Sequence, residues 1–337
     1  MMSTLVTVVT PTYNHEAFIA DCIYSVLNQS YPHWEMIVVD DGSTDDTLLI
    51  ARELANLDSR IKVYTQQNVG IFRLKETYNF AVSVSTGEFL AVLEGDDVWM
   101  PDKLRLQVEA MVAQPDAVLC WGKAYSSTVD LSENYQLYPL GDKPMSVYTN
   151  TPLYEASRHL ILSCFIPALT VMVRRTALEK VGGFLQNNKL PLVDLPTWQQ
   201  LSLIGRFIYL PEVLGRWRIY PNQVTKTFAV QMVEGFYLLA LDFFQEGKQS
   251  GVFQEEDYSR IVRHYMRMHV VSFSRSGRYK LIRKDFKGAR KDYLKSIFSF
   301  GCYEPVWKLR SLVGIIFSFF KTDIEGFTRR LGRVSYK

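Results

Sequence analysis

Apolar positions recur in two rhythms over the first 121 residues. Thr4–Thr10, Met36–Val39, Ile61–Thr65, the stretch Gly87–Asp97 with its apolar run Phe89–Leu93, and Ala117–Trp121 are short apolar or β-branched runs, each predicting a strand. Between them apolar residues return at helical spacing. Residues 16–29 carry Phe18, Ile19, Cys22, Ile23, Val26 and Leu27 on one stripe, and Leu104, Val108, Met111 and Val112 form another after Pro101, a residue suited to a first helical turn. Ser43 with Asp46 predicts a capping box for a helix to about residue 57, and a further helix runs to about Ser85. Strand and helix alternate with short connections, which predicts an α/β fold with a mostly parallel sheet and helices on both faces.

In such sheets ligands bind beyond the carboxyl ends of the strands, and the unusual residues sit there. Pro11-Thr12-Tyr13-Asn14 follows strand one, Asp40-Asp41-Gly42-Ser43 follows strand two, Asn68-Val69-Gly70 follows strand three, and Glu94-Gly95-Asp96-Asp97 ends strand four. An isolated acidic turn is ordinarily solvated. Four polar clusters on one rim, one of them with three carboxylates in four residues, call for more. Crowded carboxylates repel, so a proton or a cation must sit among them unless water screens them all.

The chain has no Gly-x-Gly-x-x-Gly and no Walker lysine, so the usual phosphate cradles are absent. A divalent cation between carboxylates reverses their sign and can hold a diphosphate, and oxygen ligands suit Mg²⁺ or Mn²⁺. Asp40 or Asp41 could accept from a base N–H or a ribose hydroxyl, and Tyr13 could stack on a base. The composite is a site for a nucleoside diphosphate whose attached group departs.

These motifs resemble the family 2 glycosyltransferases with a GT-A fold, over about residues 3–225. The resemblance implies a Rossmann-like domain at 1–225, with a nucleotide-sugar half at 1–121 and an acceptor half at 122–225. It implies inverting transfer from a nucleotide sugar (a UDP-sugar before a dTDP- or GDP-sugar) to a hydroxyl of a glycan or lipid-linked glycan. Mn²⁺ or Mg²⁺ would sit on Asp97, Asp96 and Glu94. Donor contacts would come from Pro11, Thr12, Tyr13, Asn14, Asp40, Asp41, Asn68, Gly70, Arg73, Lys75 and Asp96, with Asp41 reading the base. Glu94 stands where the family usually has Asp, and Lys75-Glu76 replaces a common Arg-Asn pair, leaving Arg73 and Lys75 as nearby cations.

After Trp121 the alternation fades, and residues 122–152 read as a long loop. Leu169–Arg175 then reads as a strand, and Thr176–Val181 as a short helix closed by Gly182-Gly183. By the same resemblance, the loop after Gly183-Phe184 carries the catalytic base. Its common Glu-Asp is Val193-Asp194 here, so Asp194 takes that role, with a helix cap before Pro196 or Thr197 as the structural alternative. Arg216-Trp217-Arg218-Ile219-Tyr220 resembles the family's Tyr-Arg-x-His, with Tyr220 in place of His.

Charge divides the chain. Residues 1–225 carry 17 Lys and Arg against 24 Asp and Glu, whereas residues 226–337 carry 21 against 11. The latter read as helical throughout, with long helices at Phe228–Phe244 and Tyr258–Phe273, nine basic residues within 275–295, and Arg329, Arg330, Arg333 and Lys337 at the end. No nucleic-acid recognition motif accompanies them. Either this is a solvated helical face, or it meets anionic lipid beside the apolar stretch Trp307–Phe320. Cys22, Cys120, Cys164 and Cys302 show no disulfide or zinc spacing, and the five histidines form no ligand pattern. With no signal peptide and no membrane-length apolar run, a cytoplasmic location is expected, peripheral on the inner face of the plasma membrane if the tail binds lipid. The competing readings are a nucleotidyltransferase on a related fold, and a non-catalytic nucleotide-sugar-binding or assembly subunit. The first lacks its Gly-rich basic loop here; the replaced Glu94, Val193 and Tyr220 keep the second open beside the leading reading of a glycosyltransferase.

Overall fold

The structure, a computed structural model, describes residues 4–220 and 229–322. The chain divides into two compact units, Met1–Gln223 and Val224–Lys337.

The first unit opens with β1 (Val6–Thr12), α1 (Ile19–Leu27), β2 (Trp34–Asp40), α2 (Thr47–Ala55), β3 (Ile61–Thr65), α3 (Leu74–Ser83) and β4 (Phe89–Val92). β1 pairs in parallel with β2 and β4, and β2 in parallel with β3. Both faces of β1, β2 and β4 are buried, which is why these strands read as continuous apolar runs. The strand expected to end at Thr10 runs two residues further, Pro11 lying opposite Val39 and Thr12 opposite Asp40. A missing N–H at the end of a strand costs little, and the Pro11 carbonyl accepts from Gly95 N at 3.1 Å.

The first departure from the sequence reading comes at α2. Ser43 and Asp46 form no capping box. Asp46 is the N-cap residue without a side-chain cap bond. Asp45 instead accepts from the Thr47 amide and hydroxyl, while Ser43 Oγ accepts from Asn14 N at 2.9 Å. The Ser43 side chain, expected to cap the helix, instead ties two rim loops together.

There follow β5 (Val98–Trp99), α4 (Lys103–Ala113), β6 (Ala117–Ser127), β7 (Asn134–Tyr138), α5 (Met145–Thr149), α6 (Ser157–Leu160), β8 (Met172–Arg174), α7 (Arg175–Lys180), α8 (Asp194–Ile204) and β9 (Arg206–Arg218). α4 starts two residues after Pro101, not at it. The expected loop over 122–152 is instead the second half of β6, the hairpin strand β7 and the short α5. Its polar composition hid the strand, because this part of β6 is held by backbone pairing to β9 and β7 and by Trp121, packed among Tyr148, Phe165 and Tyr209. The expected strand from Leu169 begins only at Met172, after one 3-10 turn at Ala168–Thr170.

The sheet order is β3-β2-β1-β4-β8-β6-β9-β5, with β7 on β6. β8 runs antiparallel between β4 and β6, so the sheet is mixed: parallel across β1 to β4, antiparallel where β8 joins the two parts of the sheet. The carboxyl ends of β1 to β4 share one edge, the edge on which the polar motifs were expected.

Among the described residues the second unit holds four helices, α9 (Ala229–Gln249), α10 (Glu255–Ile282), α11 (Phe286–Phe298) and α12 (Pro305–Phe319). Gln254 and Asp257 form a reciprocal capping box at the start of α10. Gly277 of α10 and Gly314 of α12 both lie against the Tyr293 ring of α11, where a Cβ would collide. Asp292 is buried and accepts from Ser276 and Lys280. Phe228 and the basic residues at 329–337 lie outside the described residues. No described helix is long and apolar enough to cross a membrane.

Candidate active site

The loop after β4 lies at the centre of the rim. Gly95 N donates to Pro11 O, and a Cβ on Gly95 would stand 2.5 Å from Thr12 Oγ1, so only glycine allows this loop to lie against β1. The loop presents Glu94, Asp96 and Asp97 with their carboxylate oxygens within 4.8 Å of one another. Burial, then the charge of Asp96, pushes Glu94 up to about 7. Burial, then Asp96 and Glu94, pushes Asp97 well above the usual carboxylate range.

Three side chains hold the cluster. Tyr78 of α3 donates its phenol to Glu94 Oε1 at 2.5 Å, and Tyr220 donates to Asp96 Oδ2 at 2.8 Å. Arg218, at the end of β9 and only 1% exposed, donates its backbone N–H to Asp97 Oδ1 at 3.3 Å. Its guanidinium bonds Asp96 O at 2.6 Å, Val129 O at 2.8 Å and Asp21 Oδ2 at 2.5 Å, and it lies over the Phe18 ring. Tyr78 went unmarked by any sequence motif, since on α3 it reads as a core aromatic. Arg218 stood inside the quoted β9 motif without a role.

Around this centre the expected donor residues fall into two groups. Tyr13 is exposed on the rim, and Thr12 Oγ1 lies 3.1 Å from His15 Nδ1. Asn14, in the left-handed region at φ 52°, bonds Ser43 and Thr44. Asp40 and Asp41, by contrast, are buried and already bonded. Asp40 accepts from Ser43 N and Thr65 Oγ1. Asp41 accepts from Gln66 Nε2 at 2.7 Å, Val69 N at 3.0 Å and Gly70 N at 3.3 Å, holding the Asn68–Gly70 loop. Gly70 has φ 77°, which suits glycine, and Asn68 is exposed. Arg73 forks onto Glu76, with bonds of 2.7 and 2.6 Å. The Glu where the family commonly has Asn therefore engages this cation. Lys75 is exposed, its N–H given to Gln186 Oε1.

Asp194 comes from the other half of the unit yet reaches the same centre. It is the first residue of α8, with Val193 as N-cap. Its Oδ1 is buried with no hydrogen-bond partner among the described residues. The Cys164 thiol lies 3.9 Å from Oδ2. Burial raises its pKa, and its charge is close enough to raise Glu94 further. The backbone N–H groups of Leu195 and of Asp194 itself act against the rise from burial, as at a helix start, while Oδ1 stays buried beside the acidic cluster without a hydrogen-bond partner among the described residues.

The fold has known counterparts. S. aureus TarS 1-349 in complex with UDP-GlcNAc superposes with a TM-score of 0.58 at 19% identity, covering 99% of this chain and 93% of that one. The mannosyltransferase PcManGT from Pyrobaculum calidifontis, in complex with GDP-Man and Mn²⁺, gives 0.53 at 18% identity, covering 94% and 86%. The architecture is thus that of the GT-A glycosyltransferases. Residues 7–182 match the family described as Glycosyl transferase family 2, and the chain belongs to it. Among its relatives, TuaG of Bacillus subtilis (strain 168), named for teichuronic acid biosynthesis, is 34% identical over 223 residues, which cover 66% of this chain and 81% of TuaG. WfgD of Escherichia coli, named as a UDP-Glc:alpha-D-GlcNAc-diphosphoundecaprenol beta-1,3-glucosyltransferase, is 31% identical over 176 residues, 52% of this chain and 62% of WfgD.

Proposed function

We propose that the chain transfers a sugar, with inversion, from a nucleoside-diphosphate sugar to a hydroxyl of a glycan or lipid-linked glycan in cell-surface polysaccharide synthesis. The observation that carries this is the meeting of Asp194, with its unbonded buried oxygen, and the Glu94-Asp96-Asp97 cluster. A metal suits the cluster: three oxygen donors lie within 4.8 Å, and burial and repulsion by neighbouring carboxylates keep the proton affinity of Glu94 and Asp97 high in the absence of a cation. Glu94, Asp96 and Asp97 would hold Mn²⁺ or Mg²⁺, whose positive charge would offset that of a diphosphate.

The remaining chemistry belongs to the chain. Arg218 and Tyr220 fix Asp97 and Asp96, so the cluster does not reorganise as charge develops nearby. Tyr13 offers a ring to the base, and Asn68 and Lys75 offer polar groups to the donor. Asp40 and Asp41 contribute by shaping the rim and, through their remaining lone pairs, by meeting the base. Asp194 accepts the proton from the acceptor hydroxyl as that oxygen attacks the anomeric carbon, on the face opposite the departing diphosphate. One displacement of this kind inverts the centre. The donor half is assigned to residues 1–121, the acceptor half to 122–225, and the basic helical region from 226 to an anionic membrane face on the cytoplasmic side. UDP-sugars are favoured, since the names of WfgD and the TarS complex both carry UDP-sugars.

The test is a thermal-shift panel of UDP, dTDP and GDP with and without Mn²⁺, beside donor hydrolysis. A metal-dependent shift for one nucleotide together with hydrolysis is expected. Binding without hydrolysis in any acceptor mixture would favour the non-catalytic reading.

A further inference from the structure

Helix α12 of the second unit is built inside out. Its small residues Ser311, Gly314 and Ser318 are buried, with Ser311 Oγ bonded to Ser296 Oγ at 3.0 Å and Gly314 against the Tyr293 ring. Its large apolar residues face outward: Val306, Leu309, Leu312, Ile316, Phe319 and Phe320 are each half or more exposed, from 50% at Leu312 to 73% at Phe320. They recur every three or four residues, so they form one stripe along about four turns. Leu294 and Phe298 of α11 are exposed as well, Phe298 at 77%. An apolar face of this extent does not stay in water without a purpose.

Charge identifies the occupant. Residues 305–321 include Lys308, Arg310 and Lys321 and no acid. Trp307 lies under both Arg310 and Arg275, at 4.5 and 5.2 Å, and Arg290 lies over Phe319. Exposed Arg278, Arg283, Lys284, Lys287, Lys291 and Lys295 continue the basic field over α10 and α11. Arginines resting on aromatic rings beside an apolar stripe match the boundary between lipid headgroups and acyl chains, where the rings and stripe enter and the cations meet phosphate. A second copy of this chain would present the same positive field and be repelled. With 15 residues, α12 spans about 22 Å, too short to cross a hydrocarbon core, so it would lie along the surface.

We propose that α12 docks flat on an anionic lipid bilayer through the Val306–Phe320 stripe, with the α10–α11 arginines and lysines against the headgroups. This deepens the proposed function, in which a lipid-linked acceptor is found at such a surface. The vesicle assay below does not depend on that function being right.

The full chain is mixed with vesicles of phosphatidylcholine alone and of phosphatidylcholine with phosphatidylglycerol, in low and high salt. Donor hydrolysis, circular dichroism and solution mass are measured in parallel. Binding to the anionic vesicles is expected, weakening with salt and poor on neutral ones. In the double variant Leu312→Glu/Ile316→Glu, binding should fall about tenfold or more, with helicity and donor hydrolysis unchanged because both side chains are exposed. No binding to anionic vesicles, or equal binding by the double variant, overturns the proposal. So does a parent dimer that the double variant dissociates, because the stripe would then belong to a second copy. Absence of donor hydrolysis with vesicle binding intact would strike the proposed function and leave the docking face standing.

Discussion

The Tyr220 phenol donates to Asp96 Oδ2 at 2.8 Å, from the position where the family commonly places a histidine. A phenol can do this only while it keeps its proton, and burial beside Asp96 raises its pKa and keeps it protonated. The substitution therefore exchanges a nitrogen donor for a hydrogen bond that steadies one carboxylate of the cluster. Tyr220→Phe should leave the fold intact and destabilise the metal-free chain by about 1–2 kcal/mol, since the acceptor is charged and partly buried. Urea unfolding at neutral pH checks this; a change below the error of the fit would mean that the bond contributes nothing.

Asp97 contributes to the cluster at a cost in stability. Its carboxylate is buried, with Asp96 and Glu94 both acting against its ionisation. Asp97→Asn should raise the melting temperature of the chelated protein by a few degrees, roughly what 1 kcal/mol gives a unit of this size. The same change should abolish transfer, remove the stabilisation by Mn²⁺ with nucleoside diphosphate, and spare binding of the bare nucleoside. Near-normal transfer by Asp97→Asn in the presence of chelator would sink the metal assignment.

For Asp194 the expected loss is kinetic. Asp194→Asn should retain donor affinity by calorimetry and lose about 10²–10⁴ in turnover, the usual cost of removing a general base. Turnover within a few-fold of the parent would place the base elsewhere.

The rate should also depend on pH through the same group. Burial raises the Asp194 pKa, and the base works ionised, so turnover of the parent should climb with pH through that raised value and then level. Glu94 and Cys164 face it, and a metal held by Glu94 during turnover would keep that carboxylate ionised, so the rising limb belongs to Asp194. In Asp194→Asn the residual rate should lose that limb; an unchanged profile would assign it to another group.

Lys103 gives a stability prediction away from the site. It is fully buried, its Nζ donating to Gln107 Oε1 at 2.6 Å and lying 3.9 Å from the Trp99 ring centre, and burial brings its pKa down from 10.5 to about 7. Between those two values the unfolded chain binds the extra proton and the folded chain does not, so stability rises with pH by up to about 1.4 kcal/mol per unit. That contribution is complete above the unfolded value and is lost as pH falls through about 7. Lys103→Met should flatten the difference in unfolding free energy between pH 7 and pH 10. Parallel parent and variant curves over that range would count against it.

The two rhythms of apolar residues determined the first four strands and the helices α1 and α4, because strands buried on both faces and amphipathic helices each leave a local period. The rim motifs were equally legible: the glycines at 70 and 95 answer to a positive φ and to a close approach to β1, both local needs. The polar half of β6 was read as loop, since its pairing with β9 and β7 comes from residues 7 to 91 positions away and leaves no period of its own. The antiparallel insertion of β8 went unread for the same reason. Likewise, Asp40 and Asp41 could be named as rim acids, but only the folded chain showed their oxygens held by Ser43, Thr65, Gln66, Val69 and Gly70. Tyr78, Arg218 and Cys164 acquire meaning only through contacts across 16 to 197 residues of sequence. Local spacing determined which elements form and which residues stand at their ends; the tertiary structure decided which side chains converge, because burial and the resulting shifts in proton affinity belong to a place in space.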